Sequence, residues 1–276
     1  MHTLYVIATP IGNLEDVSAR ALRILSQVQL IAAEDTRVTR KLLARYDIKT
    51  RLVSYHEHSK RAKLEELLSA LENHDVALVT DAGTPGISDP GADLVAVAAE
   101  QGATVVPIPG PSAVATAIAA SGIPVDGYVF AGFLPRKPAD RRRLLSEHVR
   151  DTRALVAFET PQRLIAALQD IHDTFGERRI AVCRELTKLH EEIYRGTVSQ
   201  AVAHFTEPRG EFTLVIAAAD PASTSDDPDF HAIALRIVDL RRNRLTAKQA
   251  TETLTAEFGL SRRQAYSLWL ETPQQT

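Results

Sequence analysis

The sequence predicts an α/β fold, two α/β domains in tandem followed by a C-terminal helical module. Three observations lead there. Short apolar runs recur along the N-terminal half, each ending in a polar or glycine-rich loop. Helical patterns such as Leu64 to Leu71 separate them, so the runs read as parallel strands joined by right-handed crossovers, with their loops gathered along one sheet edge. A turn-rich break at Ser121-Gly122-Ile123-Pro124 is followed by a second alternation, a low-complexity stretch and three helical segments.

The first strand, Leu4 to Ala8, runs into Thr9-Pro10-Ile11-Gly12-Asn13, and the second, Leu30 to Ala33, into Glu34-Asp35-Thr36-Arg37. The third, Leu52-Val53, runs into Ser54-Tyr55-His56-Glu57-His58. The fourth, Val76 to Val79, opens into Asp81-Ala82-Gly83-Thr84-Pro85-Gly86-Ile87 ahead of a helical stretch from Gly91 to Glu100. The fifth, Val105 to Ile108, leads to Pro109-Gly110-Pro111-Ser112. In open parallel sheets ligands bind at this edge. Gly83 and Gly86 let the backbone come close to a bound molecule. One such loop is ordinary connector chemistry; five together read as a ligand cleft.

Beyond the break come strand Tyr128 to Ala131, a basic helix Ala139 to Val149, strand Ala154 to Phe158 and helix Gln162 to Phe175. Strand Ile180 to Cys183, Glu192 to Tyr194, a short helix Ser199 to Phe205 and strand Phe212 to Ala217 complete that unit. The expected domains are therefore 1–121 and 122–219, with a linker at 220–229 that has no apolar period and a module at 230–276. Its helices are His231 to Arg241, Ala247 to Phe258 and Arg262 to Leu270, with Thr246 and Ser261 as caps and Gly259 at the turn. Helix, short turn and a helix opening on Arg262-Arg263 resembles a helix-turn-helix; a small docked bundle has the same spacing.

Composition narrows the classes. Of 276 residues 45% are apolar and 24% charged, ordinary for a globular chain. The single cysteine, Cys183, excludes an internal disulfide framework and fits a reducing cytoplasm. No apolar run approaches the roughly 20 residues of a membrane span, so a soluble protein with no membrane partner is expected. The net charge of -3 hides two basic stretches. Gly132 to Arg150 carries five arginines and one lysine against Asp140 and Glu147, and the C-terminal module is also basic. Such stretches are the footprint of a polyanion partner, or else solvated helix faces. His56 and His58 alternate as metal ligands do, but no third ligand stands at a recognisable spacing, so no metal is expected.

Six blocks in order carry a family resemblance: Leu4 to Leu14, Ile31 to Arg37, Asp81 to Gly91, Pro107 to Ser112, Gly132-Phe133-Leu134-Pro135 and Arg184-Glu185-Leu186-Thr187-Lys188. Together they resemble the ribosomal RNA branch of the tetrapyrrole methylase superfamily, over nearly the whole chain. The resemblance implies two α/β domains clasping S-adenosyl-L-methionine, methyl transfer to the 2′-hydroxyl of a decoding-centre cytidine in 16S rRNA of the 30S subunit, and a homodimer. No DNA partner is expected, the rival readings being a small-molecule methylase of the same fold and a helix-turn-helix regulator with a ligand-sensing body. It implies that Pro10, Asp81, Gly83, Thr84, Ile87, Ser112 and Ala113 line the cofactor from the first domain, and Phe158, Arg184, Glu211, Phe212 and Thr213 from the second. Where the small-molecule branch has Gly-Asp-Pro, this chain has Gly83-Thr84-Pro85. The dinucleotide fingerprint GxGxxG is absent after the first strand.

Methyl transfer from a sulfonium creates little charge, so geometry supplies much of the catalysis. A weakly acidic hydroxyl is helped by a proton acceptor or by a cation beside its alkoxide. At the cleft edge Glu34 and Asp35 are the expected bases and Lys188 the cation; alternatively, Glu34-Asp35 caps the helix beginning near Thr36. Arg37, Arg136, Lys137, Arg141, Arg142, Arg143, Arg262 and Arg263 are the expected grips on RNA phosphate.

Overall fold

The structure is a computed structural model that describes residues 1–56, 60–219, 230–242, 245–258 and 260–271. His58, Gly259 and the expected linker lie outside them. The chain divides into two units, Met1–Ala218 and Ala219–Thr276.

The first sheet holds β1 (Thr3–Ile7), β2 (Leu30–Ala33), β3 (Arg51–Ser54), β4 (Val76–Val79) and β5 (Thr104–Ile108), all parallel, in the order β3-β2-β4-β1-β5. Helices α1 (Ala19–Gln27), α2 (Thr36–Arg45), α3 (Lys60–Asn73), α4 (Ala92–Glu100) and α5 (Ala113–Ser121) connect or follow these strands. Both faces of the sheet are covered: Ile7, Ile31, Ala77 and Val79 pack with Leu25 and Leu43 on one side, and Leu4, Ala32 and Leu78 pack with Leu67, Leu71 and Leu94 on the other. That double burial is why β2 and β4 are continuous apolar runs with no polar alternation.

The second sheet has the order β6-β7-β10-β8-β9, from β6 (Tyr128–Phe133), β7 (Ala154–Glu159), β8 (Arg179–Arg184), β9 (Glu192–Thr197) and β10 (Phe212–Ile216). It is mixed. β6 and β7 are parallel, whereas β10 pairs antiparallel with β7 and β8, and β8 antiparallel with β9. Helices α6 (Pro138–Glu147), α7 (Pro161–Phe175) and α8 (Val198–His204) belong to this half. Because β10 runs against β7, its first residues lie beside the last residues of β7, with Phe212 opposite Glu159 and Thr213 opposite Phe158.

One helix joins the two sheets. α5 follows β5, yet its residues Val114 and Ala117 pack with Val156, Ala181, Cys183 and Val215 of the second sheet. It ends on Gly122, left-handed at φ 67°, at the turn-rich break. This shared core places both sheets in one unit.

In the second unit, α9 (Phe230–Arg242), α10 (Ala247–Phe258) and α11 (Arg262–Glu271) surround Ile237, Leu240, Ala250, Leu254, Leu260 and Ala265. Thr246 and Gln249 form a reciprocal cap, the Thr246 N–H donating to Gln249 Oε1 at 3.0 Å and the Gln249 N–H to Thr246 Oγ1 at 3.4 Å. Ser261 and Gln264 repeat it before α11, at 3.0 and 3.3 Å. Arg236 grips Glu257 with two guanidinium nitrogens at 2.7 and 2.8 Å, and Arg241 lies over the Trp269 ring. Arg262 and Arg263 are exposed.

Candidate active site

Polar and glycine-rich loops leave the first sheet at the carboxyl ends of its strands. Thr9 ties two of them together: its N–H donates to the Gly83 carbonyl at 2.8 Å, and the Gly83 N–H donates back at 3.0 Å. Gly83 holds φ 84°, a left-handed conformation that side-chain-bearing residues rarely adopt. Across from these loops stand the ends of β6 and β7 and the start of β10. Between the two sheets lies a cavity of about 340 Å³.

Gly83, Thr84, Ile87, Ser112, Ala113, Phe158, Glu211, Phe212 and Thr213 all line it, so residues scattered over 131 positions of sequence converge on one space. Three of the expected lining residues stand outside. Pro10 is buried behind Ile11, which takes the lining position. Asp81 instead braces the neighbouring loop: its Oδ1 accepts the Asp35 N–H at 2.9 Å, and its own N–H donates to Glu34 Oε2 at 3.3 Å. Arg184 donates to the Arg209 carbonyl at 2.7 Å and to Glu192 at 3.3 Å.

The expected acid-base groups divide. Asp35 is consumed by structure. It caps α2 by accepting the Arg37 N–H at 2.8 Å, and its carboxylate is clasped by the Arg37 guanidinium at 2.6 to 3.0 Å. Those bonds hold its pKa down to about 2, too weak a base to take a hydroxyl proton. Arg37 is exposed, but its charge faces that carboxylate. Lys188 is likewise taken, by Glu185 Oε1 and Glu211 Oε2, each at 2.9 Å. Burial depresses the Lys188 pKa, but the two carboxylate bonds outweigh it and leave the ammonium more firmly charged. It steadies Glu211 at the cavity wall.

Glu34 lies in a second, neighbouring hollow with Ser88, Asp89 and Asp93. Asp89 is the residue that sequence reasoning missed: it lines both this hollow and the main cavity. It makes no hydrogen bond among the described residues. Burial, then the charges of Glu34 and Asp81, raise its pKa to about 7. Burial also raises Glu34 and Asp81. Asp89 was within sight, eight residues past Asp81 in the same loop, but nothing local marks which carboxylate turns to the cavity.

The basic helix requires a correction. Arg141 is 3% exposed and bound to the buried Asp170, so it is no phosphate contact. Its guanidinium also donates to the Pro135 carbonyl at 3.4 Å. Arg142 shares Asp170, and Arg143 pairs with Asp140 at the surface. Arg136 and Lys137 stay exposed beside the cavity's Phe133.

Comparisons with known proteins agree with this architecture. The model of the Tetrapyrrole (Corrin/Porphyrin) Methylases matches residues 3–202. A ribosomal RNA small subunit methyltransferase I from Synechocystis sp. is 47% identical over 277 residues, covering 98% of each chain. One of the same name from Escherichia coli O157:H7 is 40% identical, covering 97% of this chain and 94% of its own. Another, from Thermotoga maritima, is 47% identical over 219 residues, covering 78% of this chain and 98% of its own. Among solved structures, the native uroporphyrin III C-methyl transferase of Thermus thermophilus superposes with a TM-score of 0.56 at 16% identity, over 78% of this chain and 97% of that one, a likeness of fold alone. The chain belongs to the tetrapyrrole (corrin/porphyrin) methylase family, among relatives named ribosomal RNA small subunit methyltransferase I.

Proposed function

We propose that this chain is an S-adenosylmethionine-dependent methyltransferase acting on the ribose 2′-hydroxyl of a decoding-centre cytidine in 16S rRNA. The observation that carries the reading is the convergence of Gly83, Thr84, Ser112, Phe158 and Thr213 on one cavity, in a chain 47% identical to a relative named for the ribosomal RNA small subunit.

The cavity suits that cofactor. Its volume is at the lower end of the usual range for ligand sites. Ile11, Ile87, Val114, Phe158 and Phe212 offer apolar wall to an adenine and a methionine chain, and Thr84, Ser112 and Thr213 offer hydroxyls. The carboxylates of Glu211 and Asp89 favour a ligand with cationic centres. Gly83 admits the ligand against bare backbone. When bound, the cofactor supplies an electrophilic methyl group on a sulfonium.

Asp89 takes the proton of the incoming hydroxyl, since its raised pKa makes it a better base than an ordinary carboxylate. Glu34 and Asp81 sustain that basicity by repulsion. Lys188 holds Glu211, and Arg136 and Lys137 engage phosphates by charge. The working state is a homodimer, as the family resemblance implies, which sedimentation checks.

The test is incubation with labelled S-adenosylmethionine and 30S subunits lacking the modification, followed by mapping of the methylated nucleotide. Label on a decoding-centre ribose supports the reading. Label on a base, or transfer only to a tetrapyrrole precursor, defeats it.

A further inference from the structure

Phe133 is an exposed aromatic ring on the wall of the cavity, 53% accessible, between Gly132 and the buried Leu134. Its position is built by an irregularity in the sheet. In a regular strand Phe130 and Phe133, three residues apart, face opposite ways. Here the β6–β7 register shifts between them, with Gly132 left-handed at φ 65°. A bulge of this kind re-aims a side chain. Both rings then meet Phe158 edge-on, Phe130 at 5.0 Å and Phe133 at 5.4 Å between centroids. Gly132 also sits close to Ser88, where an added Cβ would stand 3.3 Å from Ser88 Oγ. The bulge thus brings Phe133 to the side of the loop that carries Asp89.

The support beneath the ring is rigid. The Leu134 N–H donates to the Phe158 carbonyl at 3.3 Å, Arg163 donates to the Leu134 carbonyl at 3.1 Å, and the buried Arg141 reaches the Pro135 carbonyl. Two exposed cations, Arg136 and Lys137, follow directly. A fixed aromatic face beside a reaction cavity, with cations next to it, is the apparatus by which proteins hold an unstacked nucleobase and its backbone.

We propose that Phe133 is the platform on which the base of the target nucleotide stacks, so that its ribose is presented to the cavity at Asp89. The inference rests on the RNA-methyltransferase reading and adds the group that seats the substrate.

Four measurements on the full chain test it: methylation of 30S subunits, calorimetric S-adenosylmethionine affinity, thermal stability, and fluorescence of a single-stranded RNA carrying a fluorescent cytidine analogue at the target position. Phe133→Ala and Phe133→Leu are expected to lower kcat/KM for 30S subunits by about 5- to 150-fold, the range for loss of one base–aromatic stack. Phe133→Trp restores activity to near wild type. Because Phe133 is 53% exposed at the rim of the cavity, the platform role requires cofactor affinity and melting temperature to stay near wild type throughout, and stacking to quench the analogue on the wild type and Phe133→Trp but not on Phe133→Leu. Phe133→Leu working as well as the wild type overturns the platform, as does loss of cofactor affinity parallel to loss of activity, which would assign the ring to the cofactor. A wild-type protein that neither binds nor methylates RNA overturns the functional reading and this inference together. Normal methylation by Phe133→Leu overturns this inference alone.

Discussion

Arg141 and Asp170 form a buried ion pair, Nη2 to Oδ2 at 2.5 Å and Nε to Oδ2 at 2.7 Å, with both side chains less than a tenth exposed. The pair fastens α6 to α7 and, through the Pro135 carbonyl, steadies the loop that presents Phe133. Removing one partner strands the other charge away from water. Arg141→Ala is therefore expected to cost about 3–5 kcal/mol, lessened by the remaining Arg142 bond, and to lower the melting temperature sharply. Arg136→Ala, Lys137→Ala and Arg143→Ala are expected to leave the melting temperature alone. Each phosphate contact they remove makes the salt dependence of RNA binding shallower by about 0.7–0.9 in log–log slope. Thermal denaturation and binding titrations over a salt series separate the two kinds of arginine. A stable Arg141→Ala protein with a shallower slope would reverse the assignment.

The loop after β4 divides its labour between Gly83 and Asp81. Gly83 lines the cavity in a left-handed conformation, and the atom nearest an added Cβ is Ile11 Cγ2, at 3.6 Å. Gly83→Val has limited room but the wrong backbone preference, at about 1–2 kcal/mol or more for a branched residue. It is expected to weaken S-adenosylmethionine binding at least tenfold by distorting the Thr9–Gly83 bridge. Asp81→Ala releases the Asp35 N–H, a step removed from the cavity, and should weaken binding less. Calorimetry on both variants decides the order, and equal losses would mean that Asp81 turns into the site.

How much of this was legible follows from which forces are local. The strand-to-loop junctions were legible because burial on both faces leaves unbroken apolar runs, as in Val76–Val79, and because Gly83 marks a backbone conformation that other residues avoid. Convergence of Ser112 with Thr213 was legible only through the resemblance, since no local rule relates them. Arg141, Arg142 and Arg143 are indistinguishable in sequence; a carboxylate at position 170 selects which one is buried. The aim of Phe133 depends on a bulge, which a period-two pattern does not reveal. The antiparallel insertion of β10 between β7 and β8 is likewise a tertiary choice.

Asp89 ties stability and activity to pH in opposite directions. Its pKa is raised from the ordinary 3.8 to about 7, first by burial and then by Glu34 and Asp81. His56 and Asp35 act on Glu34, Asp35 and Arg37 act on Asp81, and Asp93 shares the hollow. The folded protein therefore binds more protons than the unfolded chain between about pH 4 and 7. The stability Asp89 contributes is fully present below that window and is lost as pH rises through about 7. Asp89→Asn should consequently gain on the wild type in melting temperature from pH 5 to pH 8. The rate of methylation should climb over the same range in the wild type, and fall about 10²- to 10⁴-fold in Asp89→Asn. In Glu34→Gln the rate limb should move to lower pH, because one repelling charge is gone. A pH-independent rate, or an active Asp89→Asn enzyme, would show that the proton leaves by another route.

The C-terminal unit is expected to serve substrate capture without touching cofactor binding. It carries its own core, from Ile233 to Ala265, with reciprocal caps at both of its last helices, so its fold does not draw on the cavity residues. Truncation after Ala218 should leave the melting of Met1–Ala218 and the S-adenosylmethionine affinity near wild type. Methylation of 30S subunits should fall through a higher KM, with kcat at saturation nearly kept. Arg236 and Arg241 are held within the unit, by Glu257 and Trp269, whereas Arg262 and Arg263 at the start of α11 are exposed and offer phosphate grips. Replacing both with Glu should reproduce most of the KM rise through repulsion, and raised salt should narrow the gap between variant and wild type by weakening the wild type more. Equal KM values in the full chain and the truncation would make these helices an accessory with no part in capture.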